Sequence, residues 1–129
     1  ILYTAVSSKN TFAFVYDGYW EDIGTISSYY QANLVLTHTG EGLDTYDERN
    51  PIYTRPTNLP GPKIQCTKVI QSIICEGCII EAEEITHSII GVRSHIKKGT
   101  IIKDSVLMGN HFYMPPLHED KPLSHDFWN

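Results

Sequence analysis

With 129 residues, the chain has room for one modest domain, or for the end of one domain and a small second one. Its net charge of -5, with an acidic cluster at Glu81, Glu83 and Glu84 that no equally dense basic stretch balances, excludes nucleic acid as a partner. No apolar run approaches the roughly 18 residues that a membrane span needs, and three cysteines without a secretory signal predict a soluble intracellular protein.

Residues 1 to about 17 are strand-like. Thr11-Phe12-Ala13-Phe14-Val15-Tyr16 is apolar on both faces, the pattern of a strand covered on each side in an α/β domain. The chain starts without an initiator Met and stops at Phe127-Trp128-Asn129 without a terminating pattern, which predicts a fragment cut at both ends. Asp17-Gly18 turns the chain. Thr25 is then placed to cap a helix from Ile26 to Leu36, with Ile26, Tyr29, Tyr30, Asn33, Leu34 and Thr37 near one face. The run His38-Thr39-Gly40-Glu41-Gly42 ends it. Residues 1–42 thus read as the end of an α/β domain.

Residues 43–63 form a linker. Pro51, Pro56, Pro60 and Pro62 fix φ and remove backbone donors, so the stretch can run extended between domains without entering a central sheet. Ile52, Tyr53 and Leu59 predict that it is packed down.

Residues 64–110 repeat. Ser72-Ile73-Ile74, Ser88-Ile89-Ile90 and Ser105-Val106-Leu107 recur at spacings of 16 and 17, and Ile90, Ile96, Ile102 and Met108 fall six apart. One aliphatic per hexad is the pattern of a left-handed parallel β-helix, here of about three coils, with the aliphatics stacked inward and Gly91, Ser94, Gly99 and Ser105 at tight corners. An antiparallel β domain would instead require period two and turns such as Asn-Gly, which this region lacks. The fold class is therefore mainly β. Residues 111–129, with Pro115, Pro116 and Pro122, read as a loop leaving the coils.

Two groups of residues could carry chemistry. Asp22, between Trp20-Glu21 and Ile23-Gly24-Thr25, would sit at the mouth between a strand end and a helix start, where α/β sheets bind ligands. Its hard oxygens suit Mg²⁺, although one carboxylate needs a partner. The alternative is that Asp22 merely favours a helix N-terminus electrostatically. Cys75-x-x-Cys78, with Cys66 and His87, could form a zinc site, but small apolar cysteines facing a coil interior fit the spacing better.

In order along the chain, Asp17-Gly18-Tyr19-Trp20-Glu21-Asp22-Ile23-Gly24-Thr25-Ile26, Tyr29-Tyr30-Gln31-Ala32-Asn33-Leu34, Pro51-Ile52-Tyr53-Thr54-Arg55-Pro56 and Ser88-Ile89-Ile90-Gly91-Val92-Arg93-Ser94 resemble the glucose-1-phosphate adenylyltransferase family. The match runs from about residue 11 to Tyr113 and includes Leu107-Met108-Gly109. The resemblance implies that residues 1–42 close a nucleotidyltransferase domain. It also implies that the parent enzyme joins ATP and α-glucose 1-phosphate into ADP-glucose, releasing pyrophosphate, in glycogen or starch synthesis. Asp22 matches the second of two aspartates that hold Mg²⁺, its partner lying outside this chain, and Trp20 and Glu21 would shape the substrate pocket. The nucleotide loop, the first metal aspartate and the sugar-phosphate lysine all belong upstream of Ile1, so the chain alone is expected to be inactive and to serve assembly and regulation.

The resemblance further implies a tetramer controlled by phosphorylated effectors, located in the bacterial cytoplasm or the plastid stroma. Arg55 and Thr57 are the effector-binding candidates, although plant-like relatives carry Gln-Pro-Arg where this chain has Arg55-Pro56-Thr57. Two other readings remain: a hexapeptide acyltransferase using His87 or His95, and a β-helix assembly module without chemistry.

Overall fold

The computed structural model describes residues 2–65 and 67–113. The order is α1 (Leu2–Ser8), α2 (Ile26–Val35), then seven strands: β1 (Lys63–Ile64), β2 (Lys68–Ile70), β3 (Ile73–Ile74), β4 (Ile79–Ile80), β5 (Glu84–Ile90), β6 (His95–Ile96) and β7 (Ile101–Leu107).

The strand expected at Thr11–Tyr16 is absent, and a short helix, α1, precedes that segment. The physical reason is pairing. A strand completes its backbone hydrogen bonds only against a neighbour, and the first strand among the described residues begins at Lys63. A helix satisfies its donors locally. Phe12, Phe14 and Val15 are consequently exposed, Phe12 at 90%.

The expected cap of α2 is present in full. The Ser28 N–H donates to the Thr25 hydroxyl oxygen at 3.1 Å, and the Thr25 N–H donates to the Ser28 hydroxyl oxygen at 3.1 Å, a reciprocal capping box. The N–H groups of Thr37 and His38 close the last turn on Leu34 and Val35, and Gly40 and Gly42, both at positive φ, prevent continuation. On the expected face only Leu34 is buried, and Ile26 is exposed.

Residues 43–62 hold neither helix nor strand. Here the expectation of packing needs correction: Ile52 and Tyr53 are exposed, Tyr53 at 92%. Leu59 is the partly buried one of the three, and the linker is pinned at its end, where the Gly77 N–H donates to the Pro60 carbonyl at 2.7 Å.

Among the described residues from Lys63 onward all strand pairing is parallel, along the ladders β1-β4-β6 and β2-β5-β7, with β3 beside the second half of β5. The register explains the two spacings. Lys63 pairs with Ile79, Lys68 with Glu84 and Ile79 with His95, each 16 apart, whereas Glu84 pairs with Ile101, 17 apart. The extra residue lies in the turn. Glu81–Glu83 links β4 to β5, but Lys97–Thr100 links β6 to β7, closed by the Thr100 N–H on the Lys97 carbonyl at 3.3 Å.

Inside the coils Cys78, Ile80, Ala82, Ile85, Ile90 and Ile102 form the core, with Ile74, Ile96 and Leu107 packed against it. Each fully buried isoleucine contributes about 1.5–3 kcal/mol of transfer free energy. Met108, expected inward, is 76% exposed. Because this step is 17 residues, Leu107 stacks on Ile90, and a one-residue shift along a strand turns a side chain to the other face.

The repeated serines build one corner. Ser72, Ser88 and Ser105 donate their hydroxyls to the carbonyls of Ile70, Thr86 and Lys103 at 2.7, 2.7 and 2.6 Å. The Ser88 and Ser105 N–H groups in turn donate to the hydroxyl oxygens of Ser72 and Ser88, each at 3.1 Å. Just before each serine, Gln71, His87 and Asp104 hold left-handed backbone at φ 43, 44 and 45°. At another corner Gly91 is required by close approach: a Cβ there would lie 2.5 Å from the Gly109 nitrogen.

Candidate functional site

Asp22 lies in irregular backbone just before the α2 cap. The Gly24 N–H donates to its Oδ1 at 3.0 Å, an Asx turn that aims the carboxylate while Thr25 caps the helix itself. Trp20, Glu21 and Asp22 are all exposed. One Asp22 oxygen is thus held by the backbone in an exposed residue. Hard, anionic oxygen is the correct donor for Mg²⁺. A site of that kind needs further ligands, and among the described residues no group of three or more His, Cys, Asp or Glu side chains comes together to hold a metal ion.

Arg55 and Thr57 are not brought into a shared anion pocket. The Thr57 hydroxyl donates to a carboxylate oxygen of Glu76, which places negative charge beside it. Arg55 is exposed and forms no ion pair among the described residues.

Cys75 and Cys78 occupy environments that do not favour zinc ligation. Cys78 is buried with its thiol directed to the Gly91 carbonyl at 3.2 Å, and Cys75 is half-buried. Burial is the main cause that pushes both thiols above their ordinary range, which suppresses the thiolate that ligation would use. Cys66 lies outside the described residues. His87 turns away to Asp104, Nδ1 to Oδ1 at 2.7 Å. His95 lies elsewhere, with Nε2 3.4 Å from a Glu81 oxygen.

Two arrangements were missed from the sequence. Glu84 of the acidic cluster is flanked by lysines from the neighbouring strands, Lys68 at 3.5 Å and Lys103 at 3.3 Å. Its carboxyl is held below its usual value, first by the Thr86 hydroxyl and then by Lys103. The sequence signal was available, because the pairing spacings place 68, 84 and 103 near one another. The second is a polar corner where α2 meets the coils, beside a cleft of about 630 Å³ lined in part by His38, Glu41, Tyr46 and Ser72. Its signal was the residue preceding each repeated serine.

The sequence matches, over residues 57–126, the family model of the GLGC left-handed parallel β-helix domain. It is 48% identical over 102 residues to the small subunit of glucose-1-phosphate adenylyltransferase, chloroplastic/amyloplastic, of Triticum aestivum. That alignment takes in 78% of this chain and 22% of the wheat protein, so the chain spans about a fifth of the length of this curated relative. Parallel pairing throughout, isoleucines stacked inward and the match across more than half the chain agree: the chain belongs to the GLGC left-handed parallel β-helix family.

Proposed function

We propose that the chain is part of a glucose-1-phosphate adenylyltransferase, the enzyme that converts ATP and α-glucose 1-phosphate into ADP-glucose and pyrophosphate. The single observation that carries this reading is the 48% identity to the wheat small subunit, which extends over 102 residues and so beyond the coil domain alone. In this reading residues 1–42 close the catalytic domain, 43–63 link it to the coils, 64–110 form about three coils of the left-handed β-helix, and 111–129 leave them.

Asp22 would supply one carboxylate ligand to Mg²⁺, the rest of the ligand set coming from other groups. When bound, Mg²⁺ would supply positive charge to offset the phosphates' negative charge. The contribution of this chain is orientation. The Gly24 N–H holds one Asp22 oxygen, and Trp20 and Glu21 beside it in the chain would border the substrate pocket. Arg55 remains the candidate for a phosphorylated effector. Thr57 is the weaker one, because the Glu76 carboxylate occupies its hydroxyl. Assembly as a tetramer and a location in cytoplasm or plastid stroma complete the reading.

Two measurements test it. The purified 129-residue chain should form no ADP-glucose from ATP, glucose 1-phosphate and Mg²⁺, because it carries one metal carboxylate and no nucleotide loop. In the protein that contains this chain, Asp22→Asn should lower kcat at least about 100-fold, the scale of losing one preorganised electrostatic contact to a transition state. Wild-type rates in that variant would refute the assignment.

A further inference from the structure

The corner where α2 meets the coils joins polar side chains from several separate segments. The His87 ring bonds the Asp104 carboxylate at 2.7 Å. The His38 ring meets the Gln71 amide at 2.9 Å, and its plane stands at 89° to that of His87 with ring centres 5.4 Å apart. On α2, the Tyr30 hydroxyl donates to the Asp104 backbone carbonyl at 2.6 Å, and the Tyr29 hydroxyl donates to the Met108 sulfur at 3.2 Å. Nothing in the Asp22 assignment uses these groups.

Three observations give the cluster a purpose. His87 and Asp104 hold left-handed backbone beside the paired residues of β5 and β7, a conformation uncommon outside glycine, with the two side chains bonded to each other and the His87 ring against that of His38. Within α2 only Leu34 is fully buried, with Tyr29, Tyr30, Ala32 and Val35 half-buried, so polar contacts share with a modest apolar face the task of holding the helix on the coils. At its other end α2 begins at Thr25, directly after the Asp22–Gly24 turn. A ten-residue helix is a stiff rod about 15 Å long, so an adjustment at one end reaches the other.

We propose that Tyr30, His38, His87 and Asp104 form a polar latch that fixes α2 on the coil corner and, through the helix, holds the Asp22 corner in register for adenylyl transfer. They are positioning residues. Their part in transfer rests on the function proposed above, whereas the latch itself does not.

The test uses the natural protein that contains this chain, and it combines hydrogen exchange with steady-state kinetics. Tyr30→Phe and His38→Ala avoid the left-handed positions and so remove contacts without straining the backbone. Each should speed amide exchange in α2 about five- to tenfold, as expected for one net hydrogen bond lost from a local opening equilibrium, with the amides of Ile80 and Ile90 unchanged. Each should also lower kcat several-fold with little change in KM for either substrate. His38→Gln, which keeps a polar partner for Gln71, should recover much of both losses.

Unchanged α2 exchange in both variants overturns the latch. Faster exchange with wild-type kcat overturns the positioning role. A wild-type protein that makes no ADP-glucose refutes the proposed function, and the exchange result then still decides the latch.

Discussion

Ser88 is the residue on which most of one coil corner depends. Its hydroxyl donates to Thr86 and accepts from the Ser105 N–H, and its own N–H donates to the Ser72 hydroxyl, all within a fully buried side chain. Ser88→Ala would leave the Thr86 carbonyl and the Ser105 N–H without these partners, and each buried unpaired group costs about 1–3 kcal/mol. We expect Ser88→Ala to lower unfolding free energy by roughly 2–4 kcal/mol on that basis, measured by urea denaturation, and Ser105→Ala to cost less because its side chain is only partly buried. At this scale the sequence was informative wherever a residue repeats. The serines were visible by their spacing, yet their bonds were not, since the left-handed backbone at Gln71, His87 and Asp104 is only weakly signalled by residue type: His and Asp adopt it more often than most residues but far less often than glycine. Met108 failed for an opposite reason. A period of six within a coil was extended across a step that the register sets at 17.

Among the elements, α2 was legible and the strand before it was not. Capping is local, so Thr25 disclosed the helix start, and Ser28 completes the box in the structure. A strand is defined by its neighbour, and Thr11–Tyr16 have none among the described residues. The same dependence on neighbours governs the ladder formed by Lys68 on β2, Glu84 on β5 and Lys103 on β7. Glu84 has its carboxyl pulled down, chiefly by the Thr86 hydroxyl and then by Lys103. A carboxyl whose folded value lies below its unfolded value stabilises the fold above the unfolded value, and that contribution is lost as pH falls through the folded one. The chain should therefore lose stability on acidification from about pH 5 downward. In Glu84→Gln that part of the acid slope should be missing, with a smaller difference in high salt because both lysines are exposed. Thermal unfolding between pH 3 and 7 measures it, and identical slopes for the two proteins would contradict the account.

The molecule as a whole joins a well-packed coil stack to an open, apolar forward segment. Coil residues such as Ile80, Ile85 and Ile90 are fully buried, whereas Phe12, Phe14, Val15, Trp20 and Ile23 are exposed within a dozen residues of one another. Periodicity disclosed the first part because each coil stacks on its neighbour in the same sequence. The partners of the second part cannot be read from this chain, so its apolar pattern was correct as composition and misleading as structure. That contrast has a measurable consequence. Exposed apolar clusters of this kind mark association surfaces, and coil stacks also leave unpaired strand edges. The isolated chain should therefore self-associate as its concentration rises. Replacing Phe12, Phe14 and Val15 together by Ser should shift it toward monomer without altering the circular dichroism of the coils, whose contacts those residues do not enter. Sedimentation velocity at several concentrations separates the cases: association that persists unchanged in the triple variant assigns it to the coil edges, and a strict monomer throughout would show that the forward segment finds cover within its own chain.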